Sequence, residues 1–87
     1  MKLRVFWTRQ ALKDLGTLER TAQLHVRQAI YRLAETGYGD VAKVQAAGRP
    51  IFRLRVRAWR VFFAYEIGGT ERHLVVLRIL HRRDAYR

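Results

Sequence analysis

Between Ile51 and Glu66 apolar and basic residues take turns, and that alternation leaves little freedom of fold. Phe52, Leu54 and Val56 fall on one side of an extended chain and Arg53, Arg55 and Arg57 on the other, the period of two that marks a half-buried β-strand. A reversal at Arg57-Ala58 returns the chain as a second strand, pairing Val56 with Trp59, Leu54 with Val61 and Phe52 with Phe63. Three apolar pairs then stack on one face. The dipeptide lacks the Asn-Gly or Gly-X chemistry usual in two-residue turns, so a longer loop with shifted partners stays open. In the tight register Arg55 stands opposite Arg60. Like charges directly opposed destabilise a ladder, so folding alone has no use for them, whereas a polyanion lying across that face would. A solvated outer face is the plain alternative, although mixtures of Thr, Lys and Glu would serve it equally well.

The 87 residues suffice for one core, so the chain is expected to form a single domain over 1–87. Without cysteine it has neither disulfides nor a thiolate metal site, which suits a reducing cytoplasm. No apolar run approaches the ~20 residues of a membrane span, and Met1-Lys2-Leu3 leads into a strand pattern instead of a signal peptide. A cytoplasmic protein without membrane contact is the expectation. Net charge is +11, distributed as +4 over residues 1–48 (eight basic, four acidic) and +7 over residues 49–87 (ten basic, three acidic). That basic second half attracts anionic partners, nucleic acid first among them.

Lys2 to Trp7 alternates as a first strand, with Leu3, Val5 and Trp7 on one side. Thr8 is placed to cap a helix whose apolar positions are Ala11, Leu12, Leu15 and Leu18, with Arg9, Gln10, Lys13 and Asp14 facing outward. A second helix, starting at Thr17 or Thr21, carries the stripe Ala22, Val26, Ala29, Ile30 and Leu33 and ends at Gly37. From Gly39-Asp40 to Arg49-Pro50 the pattern is irregular. After the arginine hairpin, Gly68-Gly69-Thr70 makes a turn, and the near-continuous apolar run Leu74 to Leu80, broken by Arg78, suits an interior strand. The order β-α-α-β-β-β predicts an α+β fold: a small antiparallel or mixed four-stranded sheet with an N-terminal helical hairpin packed on one face. The arginines would line the open, concave side.

No metal-ligand cluster, phosphate-binding glycine loop, Ser or Cys is present. An arginine platform and a tail holding His81, Arg82, Arg83 and Tyr86 suit a reaction that needs neither metal nor enzyme nucleophile nor cofactor. RNA cleavage, in which the substrate supplies its own 2′-hydroxyl, is such a reaction. Arginines can hold the phosphate in line and stabilise the added charge of the pentavalent species. Proton transfer falls to His81 or Tyr86, between which sequence does not choose; a backbone-bonded strand-end histidine and a frayed terminus are the plain alternatives. Phe62 shares parity with Arg60 and is the stacking candidate for a base, whereas Trp59 and Tyr65 belong to the core side.

Gly39-Asp40-Val41-Ala42-Lys43-Val44, Phe52-Arg53-Leu54-Arg55-Val56, Trp59-Arg60-Val61-Phe62-Phe63 and the terminal His81-Arg82-Arg83-Asp84-Ala85-Tyr86-Arg87 together resemble the RelE/ParE superfamily of bacterial toxins, and its RelE branch most closely. The resemblance spans essentially the whole chain. It implies the toxin of a type II toxin-antitoxin pair, held inactive by a RelB-like antitoxin, and in the RelE branch an endoribonuclease (mRNA interferase) that cuts mRNA in the ribosomal A site and so inhibits translation. By the same resemblance Arg53 and Arg55 match the basic pair of one strand, Arg60 the arginine of the next, Arg83 the arginine after the last strand, and Tyr86 the tyrosine that follows. Arginine replaces the lysine of some members at 53 and 55, which shifts the proton-transfer role toward Tyr86 or His81. Lys43, Arg57, Arg82 and Arg87 are further cations expected to contact RNA, with Phe62. Two alternatives share the fold or the charge: a ParE-type toxin that binds DNA gyrase without catalysis, and a basic RNA-binding module without chemistry.

Overall fold

The computed structural model describes residues 2–44 and 48–85. Its elements are β1 (Arg4–Trp7), α1 (Arg9–Thr17), α2 (Arg20–Thr36), β2 (Val41–Val44), β3 (Ile51–Val56), β4 (Trp59–Gly68) and β5 (Glu71–His81). They build one mixed sheet of order β1-β5-β4-β3-β2, antiparallel throughout except for the parallel β1–β5 pair. The α+β class and the helical hairpin on one face agree with expectation, and β5 is the interior strand its apolar run predicts. The sheet has five strands where four were expected, because β2 forms inside the stretch read as irregular and pairs with β3.

Ala11, Leu15 and Leu18 from the first helical segment and Ala22, Val26, Ile30, Leu33 and Ala34 from α2 meet Leu54, Val56, Val61, Phe63, Leu74, Val76 and Ile79 of the sheet. Phe63 is fully buried, with the Phe52 ring stacked at 5.7 Å and Tyr65 edge-on at 5.4 Å. The helix ends follow from local chemistry. Thr8 Oγ1 accepts from the Ala11 amide at 3.0 Å, the expected N-cap, and Gly37 closes α2 at φ 81°, a left-handed conformation that costs glycine nothing. The second helix starts later than Thr17 and without Thr21 as cap: Glu19 holds the N-cap position and makes no side-chain cap bond. No described helix is long and apolar enough to cross a membrane.

Two expectations for α1 are reversed. Leu12 is 54% exposed, and Asp14 faces inward at 8%. Beyond Trp7, β1 no longer covers the edge of β5, and α1 takes over: Thr8 Oγ1 donates to the Leu77 carbonyl at 3.1 Å, and Asp14 Oδ2 accepts from the Ile79 amide at 2.9 Å. Asp14 thus does for the β5 edge what a neighbouring strand would do. Gln10 and Arg78 complete its shell, Arg78 through Nε at 2.9 Å and Nη2 at 3.3 Å. Burial is the largest single influence on this carboxyl and pushes its pKa up. The hydrogen bonds from Arg78, the Ile79 amide and Gln10 together outweigh burial, leaving the pKa below the ordinary 3.8. A carboxyl with a lowered folded-state pKa stabilises the fold above its unfolded value and loses that contribution as pH falls through the folded one. Acid titration of stability should therefore show a loss beginning below about pH 4 that is shallower in Asp14→Asn. Parallel curves for the two proteins would contradict the role assigned to this carboxylate.

Candidate functional site

Register decides which side chains share a face. Across β3 and β4 the pairs are Val56 with Trp59, Arg55 with Arg60, Leu54 with Val61, Arg53 with Phe62 and Phe52 with Phe63, as the alternation predicts. Directly opposed residues in a ladder project to the same side. Arg53, Arg55, Arg60 and Phe62 therefore stand together on the face away from the helices. Arg55 is exposed, and its nearest carboxylate is that of Asp40 at 3.7 Å, a loose pair between two solvated side chains that a phosphate could displace. Arg53 and Phe62 are half-buried.

Arg60 is different. Only 6% exposed, it folds back on the hairpin tip, where Nη1 donates to the carbonyls of Arg57 at 2.8 Å and Trp59 at 2.9 Å. The tip is the tight two-residue reversal, and Arg57 carries it at φ 56°. A non-glycine residue held there costs about 1–2 kcal/mol, which the surrounding ladder must offset. The strained turn thus directs its own carbonyl at Arg60, fixing the guanidinium's position. Arg82 joins the tip through its amide, which donates to the Ala58 carbonyl at 2.7 Å, and its side chain is exposed beside it. Arg57, Arg60 and Arg82 are so gathered around one turn.

His81 and Lys43 do not join the arginine face. His81 pairs with Trp59 and packs edge-on against its ring at 5.2 Å, on the side of Val61 and Phe63. Its Nδ1 accepts from both the amide and Nε of Arg83, at 3.2 and 3.3 Å, so that nitrogen carries no proton in this arrangement. Lys43 pairs with Phe52 and so takes the helix side of the edge strand β2. Arg83 is exposed at the start of the tail and turned onto His81. Tyr86 and Arg87 lie outside the described residues.

One irregularity accounts for the place of His81. The β4–β5 ladder pairs Phe63 with Val76 but Phe62 with Arg78, so Leu77 is an extra residue in β5. An unbroken register would continue Phe63–Val76 to Trp59–Leu80, setting His81 on the arginine side and Arg78 under the helices. The bulge exchanges them. Arg78, absent from the expected site, arrives on the face of Phe62 and Arg53; the interruption it makes in an apolar strand was its one signal in the sequence. Among the described residues no group of His, Asp and Glu could hold a metal ion. A cleft at the β1 edge, lined by Leu3, Phe6, Tyr31 and Arg72 among others, contains none of the expected site residues.

A sequence profile of the ParE toxin of type II toxin-antitoxin systems, parDE, matches residues 5–86. The chain belongs to that family. The superfamily expected from the arginine strands and the terminal His-Arg-Arg-Asp is thereby borne out. No curated protein gives a significant match. Solved structures share the fold of this ParE-family toxin. A chain of the RelE–RelB complex of Pyrococcus horikoshii superposes with a TM-score of 0.73 at 22% identity, over 98% of this chain and 100% of that one. The RelBE2 toxin-antitoxin complex of Mycobacterium tuberculosis gives 0.74 at 23% identity, over 94% and 100%. The RelB–RelE complex of Methanococcus jannaschii gives 0.69 at 19%, over 93% and 94%.

Proposed function

We propose that this type II toxin acts on RNA, as an endoribonuclease that cuts translated mRNA at the ribosomal A site. The observation that carries it is the Arg55–Arg60 pair, two like charges opposed across a ladder on the face away from the helices, with Arg53 and Phe62 on the next rung. Arg55, solvent-exposed and only loosely paired with Asp40, can exchange that carboxylate for a phosphate on the same face. In the reaction the 2′-oxygen of RNA bonds to the adjacent phosphorus while the bond to the 5′-oxygen breaks, leaving a 2′,3′-cyclic phosphate and a 5′-hydroxyl. Arg60, fixed by the hairpin tip, and the exposed Arg55 stabilise the extra charge on the phosphoryl oxygens, and Phe62 offers a surface for a base. One proton leaves the 2′-hydroxyl and one reaches the 5′-oxygen. With His81 on the other side of the sheet, Tyr86 is the chain's own candidate for one of these transfers. A RelB-like antitoxin is the partner, supported by the RelE–RelB complexes that share the fold. An acidic or amphipathic segment would suit so basic a surface.

A second reading has its own support. The matching profile is that of ParE, and the imidazole lies across the sheet from Arg53, Arg55 and Arg60, as a non-enzymatic toxin acting on DNA gyrase would permit. Primer extension on translated messages after induction separates the two. Discrete new 5′ ends within codons are expected; intact messages accompanied by DNA damage would transfer the assignment to gyrase.

A further inference from the structure

Arg78 is the residue that the β5 bulge turns onto the arginine face, and it is held there. Asp14 takes two of its five N–H donors, those on Nε and one on Nη2, in a forked pair. Three donors remain, and the side chain is 47% exposed. Across the sheet Arg78 is level with Phe62, and Phe62 with Arg53. Strands lie ~4.8 Å apart, so this rung places arginines about 10 Å apart at the backbone, with an aromatic ring between them. Beside it runs the rung of Arg55 and Arg60, continued on β5 by Leu80. The cationic face thus extends across β3 and β4 to the far side of β5.

We propose that Arg78 is a phosphate-contacting residue of this face and that Asp14 is its positioning residue, so that single-stranded RNA crosses the strands with a base on Phe62 and a flanking phosphate on Arg78. This rests on the RNA assignment above. Asp14 acts here as more than a cap for the Ile79 amide. This guanidinium is fixed on one edge and open to solvent on the other, so its remaining donors can meet an anion without reordering the side chain.

The test is titration of a fluorescent single-stranded 2′-O-methyl RNA octamer, which cannot be cleaved, by the full-length chain over a series of salt concentrations. Each phosphate neutralised on a single strand contributes about 0.7 to the slope of log affinity against log salt. Arg78→Gln is expected to lower the slope by about that amount, whereas Arg27→Gln, which removes the same charge from the exposed side of α2, should leave it unchanged. Asp14→Asn gives a test of sign. Removal of a negative charge would by general electrostatics tighten RNA binding, but loss of the fork that holds Arg78 should weaken it several-fold, while the amide oxygen still accepts from Ile79. A wild-type slope in Arg78→Gln, or a wild-type protein that does not bind the octamer, overturns the contact. Equal or tighter binding by Asp14→Asn overturns the positioning. Should Arg78→Gln not fold, Arg78→Lys reads the same claim, since charge without the fork should keep the slope and lose affinity; unchanged affinity counts against it. Cleavage is read separately. Mapped message cleavage with a wild-type slope in Arg78→Gln would leave the nuclease and remove this inference, and a reduced slope without cleavage would do the reverse.

Discussion

Replacing Arg60 by alanine should reduce message cleavage by about 10²–10³-fold, the cost of removing one fixed donor from a charge-stabilising site. The structural reason is preorganisation. Two backbone carbonyls of the hairpin tip already hold the guanidinium, so under the proposed reaction it would meet the phosphate without reordering a long side chain. Arg60→Lys should recover little, because a single ammonium cannot both satisfy the tip and present a planar pair of donors. The same geometry predicts a stability cost of about 1–3 kcal/mol, since the carbonyls of Arg57 and Trp59 lose a buried donor. Arg55→Ala provides the comparison. It removes an exposed charge with one loose partner, so cleavage should fall while the unfolding midpoint stays within about 0.5 kcal/mol of the parent. Single-turnover cleavage on programmed ribosomes, read beside urea denaturation, checks both. Equal loss of stability in the two variants, or full cleavage by Arg60→Ala, would show that the tip does not organise the site.

Phe63→Ala should have the largest effect on folding. The ring is fully buried between Phe52 and Tyr65, and truncating such a phenylalanine costs about 3–5 kcal/mol. A domain of 87 residues has roughly 4–13 kcal/mol in total, so the variant should be largely unfolded at the low end of that range and strongly destabilised at the high end. Its neighbour reverses the pattern. Phe62 is half-buried on the open face, and alanine there should cost about 1 kcal/mol or less while weakening RNA binding. Two adjacent phenylalanines would then divide cleanly between folding and function, as urea midpoints and octamer affinities can show. Similar destabilisation by both substitutions would mean that the open face is packed like the core.

The hairpin was legible because two independent periodicities, apolar and basic, agree on one register, and a slip by one residue would have turned both to the wrong side. The helices were legible from their stripes. Leu12 and Asp14 were not, although the positions Ala11, Leu15 and Leu18 already place residue 14 on the buried side, three after the first and four before the last. Charge masked that geometry: a carboxylate reads as solvent-facing unless an edge amide and an arginine are known to await it. β2 escaped because four residues without clear alternation, set among glycines and alanines, carry little signal of their own. The bulge at Leu77 is the deepest gap. Nothing in an apolar run marks where one residue is skipped, and that single residue decides that Arg78 joins the arginines and that His81 leaves them.

That several guanidinium groups receive one RNA backbone is the claim on which the rest depends, and arginine Nε–Hε resonances report it residue by residue. On titration of the full chain with the non-cleavable octamer, signals of Arg53, Arg55 and Arg60 should shift together and saturate, with those of Arg20 and Arg27 on α2 unmoved. Shifts spread evenly over both groups, or confined to the helices, would contradict a defined RNA site on the sheet.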